Sequence, residues 1–381
     1  LPSLYLHIPF CEHKCVYCDF YSIAPDGNRG GYERLILEFL RALSREIDLR
    51  GTSPFTATSY DTVFFGGGTP SLLTPTQLSD ILSSIRRTFT IDDHAEVTLE
   101  TNPGTVDREK LEAFQQAGVN RLSIGIQSFH QDDLNFLTRI HSADQAAQCV
   151  RDAQAAGFSN VSLDLIFALP GQTFDRWMSN LHAAVDLDPS HVSCYSLIVE
   201  PDTPLSRMVL TGSVKPLAIE DDARLYESTI EFLGQHGYAQ YEVSNFAKPG
   251  MESRHNSAYW NHTEYLGFGP SAHSFWGGER WWNIAQVQGY IDRLTRGELP
   301  LAGRERLSEE QWREEAIFLG LRSGGIDLET YRKRFGRELP SENSSLIGQL
   351  IADGLVTMSR QRLSLTSRGY VICDEICQRL L

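Results

Sequence analysis

Six short apolar runs recur between residues 4 and 199, each followed by a longer amphipathic stretch, and this alternation confines the first half of the chain to a β/α architecture. The runs are LYLHI (4–8), TVFFG (62–66), EVTLE (96–100), RLSIGI (121–126), SNVSLDLIF (159–167) and HVSCYSLIV (191–199), with helices expected near 32–49, 75–88, 107–117, 143–156 and 174–187. The intervals permit right-handed crossovers between parallel strands. Gly, Pro and polar residues collect directly after the strands, which puts candidate chemistry at their C-terminal ends. The rhythm predicts a partial (β/α)6 barrel, with an open doubly wound sheet as the alternative.

The strand signal weakens after residue 200. PDTPLSR and GSVKPLAIEDD read as loops leading into a helix around 220–235. Residues 251–283 combine His, Asn, Tyr, Trp and many glycines without a usable period, which suits a structured functional surface or an aromatic core beneath loops. Beyond 305, helices at 309–322, 328–335 and 343–353, strands LVTMS and QRLSLT and a helix near 366–380 predict an additional C-terminal α+β winged-helix-like domain. The expected division is a barrel over 1–200, an extension or linker over 201–304 and this last domain over 305–381.

A chain of 381 residues accommodates two domains or a barrel with an appendage. Its net charge of −15, from 49 Asp plus Glu against 34 Lys plus Arg, disfavours nonspecific nucleic-acid binding, and no nucleic-acid partner is expected. Packing or protein binding is therefore as good a use of the last domain as DNA recognition. Seven cysteines do not make a disulfide scaffold at this size, and a cytoplasmic, reducing location is expected. No run of about 18 apolar residues is present, although peripheral membrane contact stays open.

Three of the cysteines lie together. Cys11, Cys15 and Cys18 sit in HIPFCEHKCVYCDF with spacing C-x3-C-x2-C, and position 20 is Phe20. Three thiolates hold a four-iron cluster while leaving one iron open to a reagent. A zinc site is the alternative, but it ordinarily completes four ligands, for which His13 is the nearest supplement. The second local signal is FFGGGTPS, where Gly66, Gly67 and Gly68 follow a strand and Thr69 and Pro70 precede a helix. It is neither a Walker loop nor GxGxxG. Alone it reads as a tight βα turn; beside the cysteines it becomes a cofactor-site candidate.

Together C-x3-C-x2-C and GGGTP resemble the radical S-adenosylmethionine (SAM) superfamily. The phrases LYLHIPFC, GGGTPSLL, ETNPGT, GVNRLSIGIQSF, RIH and LDLIFALPGQT are similar to the oxygen-independent coproporphyrinogen oxidase-like group, over nearly the whole chain. The resemblance implies that Cys11, Cys15 and Cys18 ligate a 4Fe-4S cluster whose open iron is chelated by SAM, and that an electron from the cluster cleaves SAM to methionine and a 5′-deoxyadenosyl radical. It also implies that Tyr5 borders the cofactor, Tyr17 lies beside its adenine, and Gly67, Gly68 and Thr69 line its methionine region. Glu100, Gln127, Arg139 and Asp164 carry the remaining polar roles, Arg139 toward the methionyl carboxylate and Asp164 or Gln127 toward ribose hydroxyls. Read without the resemblance, Glu100 and Asp164 equally well cap helices, Gln127 satisfies a turn and Arg139 makes a surface ion pair.

Phe20 decides the branch. The oxidase pattern continues C-x3-C-x2-C-x-C, whereas C-x3-C-x2-C-D-F resembles a heme chaperone branch of the group, and HNSAYW at 255–260 resembles that branch's HNxxYW. An imidazole can ligate heme iron, which makes His255 the expected heme ligand, with His262 and His273 as alternatives. A loop network over buried Tyr259 and Trp260, or a heme surface formed only in a homodimer, also accounts for the motif. The implied function is binding of heme and its transfer to apo-hemoproteins such as respiratory ones, with the cluster supporting oligomerisation or transfer; whether SAM cleavage takes part is left open. Oxygen-independent oxidation of coproporphyrinogen III, or another radical reaction on a tetrapyrrole, is the alternative.

Overall fold

A computed structural model describes all 381 residues. Strands β1 (Ser3–Ile8), β2 (Ser59–Gly67), β3 (Thr90–Thr101), β4 (Arg121–Gln127), β5 (Val161–Phe167) and β6 (His191–Ser196) are neighbours in chain order, and each is parallel to the next. A doubly wound sheet reverses its strand order at a switch point. The strictly sequential order winds one way only, so the sheet is a partial (β/α)6 barrel.

Helices α1 (Arg29–Arg50), α2 (Pro75–Thr88), α3 (Arg108–Ala117), α4 (Gln131–Phe136), α5 (Ala143–Ala155) and α6 (Phe174–Asp186) follow the strands. Their starts are written locally: Thr74 and Gln77 form a capping box ahead of α2, and Ser142 and Gln145 form one ahead of α5. Leu4, Leu6, Val63, Phe65, Val97 and Leu99 belong to one cluster of 53 buried residues beneath these helices. With a side-chain period of two, the intervening positions face the barrel interior. Those positions hold Tyr5, His7, Thr62, Phe64, Glu96, Glu100, Ser123 and Asp164, so the interior is polar and aromatic while the outer wall is aliphatic.

The middle of the chain extends this sheet at both edges. After α7 (Pro204–Leu210) and α8 (Ile219–Gln235), β8 (Asn245–Ala247) adds antiparallel to β6, and β7 (Ala239–Gln240) pairs antiparallel with β8 at the outer edge. Helix α9 (Arg254–Trp260) precedes β9 (Tyr265–Phe268), which lies parallel to β1; β10 (His273–Trp276), β11 (Glu279–Asn283) and, beyond α10 (Val287–Thr295), β12 (Leu301–Arg306) then continue antiparallel. The result is a 12-stranded sheet, so residues that show no period in sequence are sheet edge and a short helix.

The C-terminal region runs α11 (Glu309–Arg322), β13 (Ile326–Asp327), α12 (Leu328–Phe335), α13 (Leu339–Glu342), α14 (Ser344–Ala352), β14 (Val356–Met358), β15 (Arg362–Leu365), α15 (Ser367–Val371) and α16 (Cys373–Leu380). Its three strands pair in the order β13-β15-β14 over a separate core of 14 buried residues. The α+β expectation holds, with two differences. β13 is two residues long, too short to show alternation, and the helix expected near 366–380 is interrupted at Ile372. No helix of the chain is long and apolar enough to cross a membrane.

Candidate functional site

The cysteine loop grows out of β1 at the C-terminal end of the barrel. The glycine-rich segment after β2 is bonded onto it: the Gly68 amide donates to Ile8 O (2.8 Å) and the Thr69 amide to Phe10 O (2.7 Å). These bonds leave no room for a side chain, because a Cβ on Gly68 would stand 2.7 Å from Phe10 O. Gly67 has φ +109, and a Cβ there would stand 2.7 Å from the His7 ring. The loop is closed by Cys11 N to Ile23 O (2.9 Å) and by the Tyr32 hydroxyl donating to Cys11 O (2.7 Å).

Cys11 is buried, and Cys15 and Cys18 are half-buried. The Thr69 hydroxyl lies 3.5 Å from the Cys11 sulfur, and an Arg139 guanidinium N–H lies 3.5 Å from that of Cys15. Burial pushes the Cys18 thiol up to about 11 and raises that of Cys11, so a strong cation is needed to hold them as thiolates. No three His, Cys, Asp or Glu side chains of the chain are gathered so as to hold a single metal ion. Thiols that each take a different iron of a cluster need no such convergence, and the surrounding donors and cation suit anionic sulfur.

Behind the loop the barrel mouth is lined by carboxyls under strain of burial. The Glu100 carboxyl accepts from the Gly67 amide (3.1 Å) and is pushed up to about 8, first by burial and then by the charge of Asp164. Burial raises Asp164 to about 6, although the Ser123 hydroxyl donates to it at 2.8 Å; its other oxygen, Oδ1, is buried without a partner. Arg139 donates to Gly125 O (2.8 Å), and its Nε is also buried without a partner. Gln127, at the end of β4, adopts φ 67, and a Cβ on Gly125 would stand 3.0 Å from its amide nitrogen and 3.2 Å from Arg139. Buried polar atoms in want of partners, around a space kept open by glycine, fit a polar ligand such as SAM. Tyr17 packs with Leu137, Ile166 and Leu169, next to Arg139 and Cys15.

His255 is placed elsewhere. Ser253 caps α9, and the Glu96 carboxylate accepts from the amides of Arg254 (3.3 Å) and His255 (3.2 Å), fixing the helix against the middle of β3. The His255 ring is 1% exposed and stacks on Phe64 at 4.8 Å. Its Nδ1 is 2.7 Å from the Thr62 hydroxyl and its Nε2 3.0 Å from the Tyr259 hydroxyl; burial pushes its pKa down to about 3, which keeps it neutral. Both ring nitrogens are thus engaged inside the barrel floor. Trp260, one turn on, instead lines a cleft of about 400 Å³ against the C-terminal region.

A family profile described as the radical SAM superfamily matches residues 5–183, and one described as the HemN C-terminal domain matches residues 307–372. The heme chaperone HemW of Bacillus subtilis (strain 168) is 37% identical over 380 residues, spanning 99% of this chain and 98% of its own. HemW of Mycobacterium tuberculosis (strain ATCC 25618 / H37Rv) is 37% identical over 383 residues, spanning 100% and 94%. The chain belongs to the HemW family. Among solved structures, coproporphyrinogen III oxidase (HemN) from Escherichia coli superimposes with a TM-score of 0.84 over 100% of this chain and 90% of that one; at 23% identity the likeness is one of fold.

Within this HemW-family fold, the positions singled out in sequence separate into two places. The three cysteines, Tyr17, Gly67, Gly68, Thr69, Glu100, Gln127, Arg139 and Asp164 gather at the mouth, whereas His255 lies at the floor. Tyr5 stands between them, its ring 6.4 Å from His255 and its hydroxyl donating to His7 Nδ1 at 3.1 Å. Sequence reasoning assigned no role to His7, whose Nε2 donates to Tyr21 O (2.8 Å) and whose ring abuts Gly67. Its place on the Tyr5 face of LYLHI was the available signal. His141, in the quoted RIH, was likewise left without a role; it bonds Ile126 O at 3.1 Å, and burial together with the charge of Arg139 holds it down at about 4.

Proposed function

We propose that this HemW-family protein binds heme and transfers it to apo-hemoproteins, respiratory ones among them. It acts in the cytoplasm as a homodimer that touches the membrane only peripherally. The observation that carries the reading is full-length likeness to heme chaperones together with Phe20, which stands 64% exposed where the oxidase pattern would place a fourth nearby thiol.

Cys11, Cys15 and Cys18 would hold a 4Fe-4S cluster, and Gly67, Gly68, Thr69, Glu100, Gln127, Arg139 and Asp164 would hold SAM, with Tyr5 and Tyr17 at its borders. Bound there, the pair supplies one-electron chemistry. The protein's own part is electrostatic. Arg139 offers a guanidinium to a carboxylate; Asp164 keeps one oxygen free to accept from a hydroxyl; Glu100, whose ionisation burial opposes, becomes a carboxylate partner once a cationic amine lies beside it. Thr69, on the wall of that space, spends its hydroxyl on the Cys11 sulfur.

The test is an anaerobic heme titration of the cluster-reconstituted protein, followed by transfer to an apo-hemoprotein and a parallel coproporphyrinogen III assay. The expected result is stoichiometric binding and transfer with no decarboxylated product. Formation of protoporphyrinogen IX and carbon dioxide without stable heme capture would replace the chaperone reading with the oxidase.

A further inference from the structure

Two adjoining clefts, of about 400 and about 430 Å³, separate α9 and the following strands from the C-terminal region, and His262 lines both. Each is of the size that takes a drug-sized ligand. The first presents Trp260, Tyr331 and Phe335 together with two guanidiniums, Arg334 and Arg362. In a chain of net charge −15, neither of these makes an ion pair: Arg334 lies over the Trp312 ring at 4.1 Å, and Arg362 donates to Gly324 O at 2.9 Å. Glu252 and Asp327 line the cleft too, Asp327 standing across the strand pair from Arg362, so Arg334 is the guanidinium with no acidic neighbour and Arg362 offers its remaining N–H groups; an aromatic wall with these two cations suits a flat apolar ligand that bears acidic side chains.

His262 supplies what iron needs. It holds φ 52, a left-handed conformation that His, with Asn and Asp, adopts more readily than other side chains, and Glu315 fixes its ring by accepting from Nε2 at 2.8 Å. Glu315 is in turn gripped by Arg280, whose single nitrogen Nη2 donates to both carboxylate oxygens at 2.9 and 3.1 Å, which keeps the carboxylate ionised and oriented. A proton held on Nε2 leaves the lone pair on Nδ1, which has no hydrogen-bond partner within the protein. A carboxylate behind an imidazole is the arrangement that orients metal-ligating histidines. His255, by contrast, must give up a buried hydrogen bond before either nitrogen reaches a metal.

We infer that heme docks in this cleft, with His262 Nδ1 on its iron and Arg334 and Arg362 on its propionates. The inference rests on the heme-chaperone reading and gives it a place in the molecule. The test is an anaerobic hemin titration of the cluster-reconstituted wild type, His262→Ala and the Arg334→Glu/Arg362→Glu double variant, read by Soret absorption and resonance Raman. His262→Ala should change the axial-ligand signature and weaken binding, with added imidazole restoring the signature. The arginine double variant should weaken heme by about tenfold or more with the signature unchanged, since charge-assisted bonds to the propionates are lost. Cluster content and melting temperature report folding, and the double variant stands as an independent arm should His262→Ala fold poorly. If the wild type binds heme and both variants match it in affinity and signature, the cleft is wrong and the chaperone reading stands. If the wild type binds no heme, that reading falls and the docking site with it.

Discussion

Glu100 shows how a single residue of the cradle answers to pH. In the unfolded chain it releases its proton near 4.5, and in the folded, ligand-free chain near 8. Between those values the folded state holds the extra proton, so stability is fully present below pH 4.5 and falls as pH rises to 8, by roughly 1.4 kcal/mol per unit, and then levels off. Glu100→Gln removes the titrating group, and the cofactor-free variant should show a flatter profile from pH 5 to 8 in urea melts, with its advantage greatest at pH 8. Equal slopes for the two proteins would show that the carboxyl is ionised and solvated when folded. The identity of Glu100 was legible through the motif ETNPGT; its protonation was not, because burial and the approach of Asp164 are made by β3 and β5 together.

At the scale of elements, legibility followed length and period. Strands β1–β6 and helices α1, α2, α3, α5 and α6 were readable because each is long enough to show one face apolar. Helix α9 has seven residues, and β9, β10 and β11 have four or five, so no window in that stretch carries a pattern. Yet α9, which carries HNSAYW, is a structural plug. His255 joins Thr62 on β2 to Tyr259 on its own helix and stacks against Phe64. His255→Ala should therefore cost about 2–4 kcal/mol, from an unfilled cavity and two hydroxyls left without their partner. Loss of heme binding in that variant would accordingly carry no ligand assignment by itself. Equilibrium denaturation checks the point: wild-type stability in His255→Ala would show that the ring is dispensable to the plug and return it to the list of open heme ligands.

For the whole molecule the consequential feature is the junction between the 53-residue core of the barrel and the 14-residue core of the C-terminal region. The winged-helix-like order does not argue for DNA there, since α14, SSLIGQLIA, has neither Lys nor Arg and buries Ile347 and Leu350. What the region does is close a cleft. Glu315 on α11 clamps Arg280 of β11 and His262 beyond α9, while the Val243 amide donates to Arg322 O (2.8 Å) as a second tie. None of these pairings was legible, because they join residues 35 to 79 positions apart that share no local pattern. The Glu315 cluster is partly solvated, so its loss should weaken the junction by about 1–2 kcal/mol rather than by the full cost of breaking a buried pair. Glu315→Ala should then let trypsin cut at Arg304 and Arg306 several-fold faster than in the wild type, with the far-UV spectrum and cluster content unchanged. Unaltered cleavage would assign the closure of the cleft to the backbone tie at Val243 and leave Glu315 only the task of orienting His262.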